Sequence, residues 1–398
     1  MSFASSNRTG LYRVKEATWG VTPVSPALVE TRYTGEALDN SISTEKSQEI
    51  RADRMVSDLI LTDSSPSGSF NFEMSYGSFD DLLESALMSA GWSAAVNVVG
   101  IAGDISTVAS PTNNLTSTLN TKFAAVNIGD YINVGGFADA LNNRLYQVTA
   151  KLNGGSITVT PQPNSAETPA GTAATVKSGG RIRNGTLEQS YTLVKQFNDA
   201  TAVTRHIFRG MRVGGFSLDM QTAAILTGVF NFIGKSAQFS ESTFGGETIT
   251  AASTTEVMNC VTNVQNIFFD GAALGAPGAV MSLQLELDNQ HREQKGIGEL
   301  GNVGVVAGTL MVNVTASQYF ESKEQADIFE QSDSFGFSFV LRDNVGNAYV
   351  FTLPRCKYES FVANASQLDS DVMADTTFTA LRDPLTNCMI QIDRFPVA

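Results

Sequence analysis

The sequence predicts a mainly β protein of the β-rich α+β class. It reads as two tandem β-sandwich or barrel modules, each with one α-helix, and a small all-β insertion in the first. Three observations carry this. Strand-like runs outnumber helical ones in a chain of 398 residues with 42 % apolar residues, 17 % charged residues and 34 glycines. One strand–turn–helix pattern occurs twice. The composition breaks sharply once, between residues 93 and 183.

The first copy of the pattern is Gly68 to Gly91. Phe70, Phe72, Met74 and Tyr76 alternate with Asn71, Glu73 and Ser75, the period of a half-buried strand. Ser78 is placed to cap a helix, and Asp80 and Asp81 suit its positive start. Phe79, Leu82, Leu83, Ala86 and Leu87 fall on one helical face, and Gly91 supplies a stop. The second copy is Gly308 to Gln331. Gly308, Leu310, Val312, Val314 and Ala316 line up with Gly68 to Tyr76. Ser322 with Gln325 repeats the capping box, and Ile328 and Phe329 repeat the apolar helix face.

Residues 1–37 mix turn signals with short apolar pieces and read as an arm packed on a neighbour or as a frayed terminus. Leu38-Asp39-Asn40 opens a polar stretch through Asp53 that reads as a long loop, and Val56 to Leu61 begins the strand toward Gly68. The same tripeptide returns as Leu287-Asp288-Asn289, again ahead of a charged loop. Leu187 to Phe208 reads as a hairpin turning at Asn198-Asp199. Its partner is Phe335, Phe337, Phe339 and Leu341, a turn at Asn344 to Asn347, then Tyr349 to Leu353. The aromatic stripe reads as core or subunit interface.

Leu83 and Ile328 differ by 245, whereas Arg212, Val213 and Phe216 match Lys357, Tyr358 and Phe361 at a spacing of 145. An insertion in the first copy accounts for the difference, and the compositional break lies in that gap. The organisation predicted is 1–92 with 184–236 as a discontinuous first module, 93–183 as the insertion, 237–256 as an extended linker, and 257–398 as the second module.

Charge and motif content exclude most chemistry. The net charge of −14 argues against a nucleic-acid-binding surface, which needs clustered Lys and Arg. The insertion is +2 and the remainder −16. Cys260, Cys356 and Cys388 are scattered and odd in number, which suggests a reducing compartment without a disulfide framework. The N-terminus lacks a secretory pattern, and no apolar run reaches the roughly 20 residues of a membrane-spanning helix. His206 and His291 are isolated, and no phosphate loop, dinucleotide motif or zinc spacing occurs. Asp80-Asp81 as an acid–base pair is already explained by a helix start. Asp369, Asp371 and Asp375 lack the glycine and terminal glutamate of a calcium loop and read as a solvated loop. Catalytic residues, metal and cofactors are therefore expected to be absent.

Ile50-Arg-Ala-Asp-Arg-Met-Val-Ser-Asp-Leu, running through Gly68 to Leu87, resembles the front of the module of the tail tube (major tail) proteins of long-tailed bacteriophages. Gly129-Asp-Tyr-Ile-Asn-Val resembles small β domains that such proteins carry. The resemblance covers most of the chain, although the second copy lacks the Arg-Ala-Asp-Arg pattern. It implies two tandem tail-tube-like modules and a structural virion protein, not an enzyme, whose rings stack into a hollow conduit for DNA delivery.

It also implies ring-stacking loops at Ser43–Arg54, with Glu45, Lys46, Glu49, Arg51, Asp53 and Arg54, and at Gln290–Leu300, with Arg292, Glu293, Lys295 and Glu299. Two modules per chain imply homotrimeric pseudo-six-fold rings. The partners implied are the chain itself and the tape-measure, tail-tip and tail-terminator proteins, with assembly in the bacterial host cytoplasm. An acidic wall lets DNA pass without specific binding. The insertion is expected on the outside, as decoration or a host-surface contact dispensable for assembly. The alternative reading is a tail-tip hub or a host-receptor-binding tail protein.

Overall fold

The computed structural model describes residues 4–169, 174–198, 203–273, 279–321, 323–365 and 368–397. The predicted positions Ser322 and Asp199 lie outside the described residues. The first part of the chain supplies β1 (Thr9–Lys15), β2 (Ala27–Glu30), β3 (Gly35–Glu36), β4 (Asp39–Lys46), β5 (Leu59–Glu73) and α1 (Asp80–Ala86). Strands β6 to β12 follow at Val96–Val99, Ile105–Val108, Asn114–Ser117, Tyr131–Gly135, Leu145–Asn153, Ser156–Thr160 and Thr175–Ser178. Next come β13 (Arg181–Arg183), β14 (Tyr191–Phe197), β15 (Thr204–Gln221), β16 (Thr227–Ile233), β17 (Ser236–Ser240) and β18 (Thr248–Thr250). The rest holds β19 (Val264–Phe269), β20 (Ala272–Ala273), β21 (Val280–Asp288), β22 (Arg292–Lys295), β23 (Asn302–Val306), β24 (Met311–Tyr319) and α2 (Glu324–Gln331). It ends with β25 (Phe335–Arg342), β26 (Ala348–Asn364), β27 (Met373–Ala380) and β28 (Gln391–Phe395). The protein is mainly β, as predicted.

One sheet runs through both halves. Its order is β3/β4, β5, β16, β15, β21, β24, β27, β26, all antiparallel. Alternation gives it two unlike faces. One cross-strand row is Phe72, Gly228, Leu218, Leu285, Val314 and Phe378, all buried. The adjacent row is Glu73, Thr227, Asp219, Gln284, Thr315 and Thr377, all exposed or half-buried. On the apolar face, Phe72 packs on Phe79 and Phe230 with ring centroids 4.5 and 4.8 Å apart. Leu82, Leu83 and Ala86 of α1 close this core. The stripe Phe335, Phe337, Phe339 is buried core.

Strand β15 is long because it serves two sheets. Thr204 to Arg209 lies between β14 and β17, and Arg212 to Asp219 pairs with β16. The bend falls at Gly210, with φ +71°, where a Cβ would sit 2.9 Å from the Trp19 indole nitrogen. The register shifts between Val213 and Gly215, so Gly214-Gly215 marks a bulge. Strand β26 repeats the device: Ala348 to Thr352 pairs with β28, and Cys356 to Asn364 pairs with β27.

Several local expectations change. Helix α1 is capped at Phe79 with no side-chain cap, because the Ser78 hydroxyl contacts Ser75 instead. It ends at Ala86, and Met88 rather than Gly91 takes the first left-handed position beyond it, φ 49°. Within 237–256, read as an extended linker, β17 pairs with β15 and β18 runs parallel to β2. The N-terminal arm packs on its own chain through β1 and β14. Glu16 ties it down, accepting from the hydroxyls of Ser190 and Thr192 and from the Gly210 amide.

The insertion has its own sheet, ordered β6-β12-β9-β10-β11-β8-β7, and its own core around Phe123, Ile132, Tyr146 and Ile157. It docks on the outer face of β25, β26 and β28. Tyr131 packs there with Val340, Val350 and Phe395, and its hydroxyl lies 2.8 Å from that of Ser338. Strand β13 pairs with β28. Asp393 on β28 sits fully buried at this junction, beside Gln391 and Arg181. Burial pushes its carboxyl up to about 7, against the lowering effect of a 2.6 Å hydrogen bond from Gln391.

Two outcomes test this junction. Tyr131→Ala leaves a cavity and an unpartnered Ser338, and should cost roughly 3 kcal/mol or more in denaturant unfolding. Folded Asp393 keeps its proton up to about 7, whereas the unfolded side chain releases it near 3.8. Its contribution is therefore full below pH 3.8 and is lost as pH rises through about 7. Asp393→Asn should flatten that part of the stability–pH profile, measured as unfolding midpoints between pH 5 and 8.

Candidate assembly surfaces

The groups that enzymes use are engaged in structural roles here. Asp80 accepts from Arg394 at 2.6 Å and from the Tyr349 hydroxyl, and Asp81 accepts from Arg13 at 2.8 and 2.9 Å. These ion pairs fasten α1 to strands from both ends of the chain. His206 stacks between Phe208 and Phe239 at 4.1 and 4.0 Å, and burial lowers its pKa. Burial also lowers the pKa of His291, which lies beside Arg212. The Cys260, Cys356 and Cys388 thiols are pushed up by burial, away from reactivity. Among the described residues, no group of three or more His, Cys, Asp or Glu side chains is placed to hold a metal ion.

Three surfaces stand out instead. The first is a pair of hairpin arms. The stretch read as a loop is largely strand: β4 pairs with β5 from Asp39↔Ser67 to Lys46↔Leu59, and only residues 47–58 form the tip. Most of this arm is exposed on both faces, so it is marginal by itself. Glu45 and Lys46 lie exposed on β4, and Glu49, Arg51, Asp53 and Arg54 lie in the tip. Arg51 and Asp53 pair at 2.8 Å, which holds the Asp53 carboxyl below its usual range. Arg54 takes a left-handed conformation, φ 59°.

The second arm pairs β22 with β23. Arg292 and Glu299 are exposed on it. Lys295 bonds Asp63 of the first arm at 2.8 Å, and Glu293 contacts Ser65 there. Those two residues therefore brace one arm on the other within the chain. Sequence reasoning missed the apolar tips. Ile50 and Ile297 are fully exposed, and Met55, Val56 and Leu300 are also exposed. The signal was present, since Ile50, Met55 and Val56 interrupt an otherwise charged run.

The second surface is the pair of outer sheet edges. Among the described residues, Lys357 to Asn364 pairs only with β27, and β3 pairs only with β5. Val362 on that edge is 45 % exposed. A long edge with exposed apolar side chains is a template for another strand.

The third is the polar face of the sheet. Across residues 68–73, 227–233, 215–221, 282–288, 311–319 and 373–380, the charged residues are Glu73, Asp219, Glu286, Asp288 and Asp375. All five are carboxylates and are exposed or half-buried, and two cations share the face nearer its ends, Arg212 opposite Ile233, which pairs with Glu188, and Lys357 opposite Thr379.

The family model described as phage tail tube protein matches residues 6–380. No curated protein matches the chain. A match over nearly the whole length, on a β-rich fold of this kind, identifies the chain as a member of the phage tail tube protein family, a structural component of the virion.

Proposed function

We propose that the chain polymerises as stacked rings into the hollow tail tube and that DNA passes through it. The chain reads as two tandem tube modules, 1–92 with 184–236 and 257–398. The observation that carries this is the strand order. The first half runs β3/β4, β5, β16, β15, and the second runs β21, β24, β27, β26. In each half a further strand flanks the same hairpin, β17 beside β15 and β28 beside β26. Phe70 faces Phe230 as Val314 faces Phe378, which moves the central-strand correspondence four residues from the one suggested by Gly68 and Gly308. Two like units joined edge to edge, with an unpaired border at each end, suit a head-to-tail ring.

Three chains then give a pseudo-six-fold ring. The mass of the smallest closed assembly, by light scattering with negative-stain images, tests this: three chains per ring and long tubes support it. Six chains per ring would mean that one module closes the ring. A single discrete ring that never stacks would favour a tail-tip hub.

In this ring the polar face lines the channel. Carboxylates among Thr, Ser, Asn and Gln repel phosphate and offer it no fixed partner, so duplex DNA slides. Wild-type tubes should not retain DNA at moderate salt. Tubes carrying Asp219→Lys and Glu286→Lys should retain it in filter binding, and should release it as salt rises. Wild-type tubes that hold DNA tightly would refute the sliding wall.

A further inference from the structure

The join between the halves contains a template for the join between chains. Within the chain, β15 and β21 pair antiparallel from Gly215↔Asp288 to Gln221↔Ser282. Asn289 follows β21, is 3 % exposed, and donates to the Ala86 carbonyl at 2.9 Å and the Val213 carbonyl at 3.2 Å. It thus closes the last turn of α1 and ties it to β15. The strand registers carry each partner to its image at the open borders. Asp219 lies opposite Thr227 as Val362 lies opposite Asp375. Gln284 lies opposite Thr315 as Gly35 lies opposite Asn71. Leu287-Asp288-Asn289 maps onto Leu38-Asp39-Asn40.

The helices point the same way. Helix α1, which sits at the internal join, buries Leu82, Leu83, Ser85 and Ala86. Helix α2, which packs on β26 where that strand pairs on one side only, has no buried residue. Phe329 there is half-buried and stacks on Phe361 with centroids 6.5 Å apart. The half-buried Asn40 accepts from the Ser64 hydroxyl through its side-chain oxygen, whereas Asn289 uses its amide nitrogen.

We propose that Tyr33–Asp39 of one chain pairs antiparallel with Tyr358–Asn364 of a second copy, in the register of the internal join, and that Asn40 closes the last turn of that copy's α2. This rests on the ring reading above and specifies its contacts. Gly35 falls opposite Val362. Asn40 is the latch between chains, as Asn289 is the latch within one, so the repeated tripeptide has one role in two settings.

Crosslinking of assembled protein tests the pairing. A Cβ at Gly35 meets only the Asn71 amide, at 3.6 Å, so cysteine fits there. A short bismaleimide should join Gly35→Cys/Val362→Cys chains into covalent dimers and closed trimers, while wild type and either single variant stay unjoined. Tubes that form without this crosslink would overturn the pairing and leave the ring reading standing. Chains that never assemble, wild type included, would overturn both.

Asn40→Ala gives a second readout. Its monomer should lose only the half-buried Ser64 hydrogen bond and unfold slightly below the wild-type midpoint, while the concentration needed for assembly should rise roughly tenfold, the worth of a hydrogen bond or two. Asn289→Ala should lower the monomer midpoint further. An Asn40→Ala protein that assembles like wild type would overturn the latch. Hydrogen exchange on wild type adds a check without substitution: amides in 357–364 should gain protection on assembly, and unchanged exchange in tubes would overturn the pairing.

Discussion

The antiparallel pairing of β15 with β21 is the constraint on which the rest of the structure depends. It makes one sheet out of two, so that Phe216 and Leu218 share a buried face with Leu285 and Leu287. Main-chain groups left open along either strand would carry the full cost of desolvation without a partner. The groups that converge there are correspondingly fixed. Asp80 holds Arg394 and Tyr349 from the far end of the chain, and Asn289 holds the end of α1. A helix tied at both ends across one join, at Asp80 and at Ala86, and to β1 through Asp81, cannot shift without breaking several contacts together. That rigidity suits a part that sets the angle between the two halves of the sheet.

The insertion follows from the same geometry. The outer sides of the two halves both carry an apolar patch that needs a cover. In the first half, Tyr12, Val194 and Ile207 are packed by Leu28 of β2 and by Phe244. In the second half, the matching patch on β25 and β26, Val340 and Val350, is covered by Tyr131 from the insertion. A domain inserted in one half thus completes the other. Docking through a buried tyrosine, a strand pairing and a buried aspartate is more than decoration requires, whatever its outer surface contacts.

Much of this was legible in the residues, and the exceptions have physical causes. Period-two runs located β5 and β24 because each buries one face and wets the other, whereas β25 alternates in sequence but is buried on both faces, its Ser338 and Val340 lying under Tyr131. The spacing change from 245 to 145 falls across the stretch that carries β6 to β12 with a sheet and core of their own. The arms look like loops in the sequence because a hairpin wet on both faces has no apolar alternation: β4 reads Asp-Asn-Ser-Ile-Ser-Thr-Glu-Lys. The missed helix boundaries at Phe79 and Ala86 reflect tertiary contacts that override local signals, since Ser78 was engaged elsewhere and α1 ended against Asn289. The carboxylate face was visible only once registers set Glu73, Asp219 and Glu286 on the same side of adjoining strands.

The two arms differ in a way that the join explains. The second arm leans on the first, through Lys295 to Asp63 and Glu293 to Ser65, because the internal join places their bases side by side. Toward its tip, over residues 43–62, the first arm makes no such contact among the described residues. At its tip the charges are matched only locally, as Arg51 with Asp53, and Ile50, Met55 and Val56 stay in solvent. An exposed ion pair contributes little to holding such a tip, so its order must come from burying those apolar side chains. Repeating the join between chains would set the first arm of one copy beside the second arm of another and hold its base. In the proposed stack of rings the tip would still reach beyond its own ring, and the surface to cover it would belong to the next one.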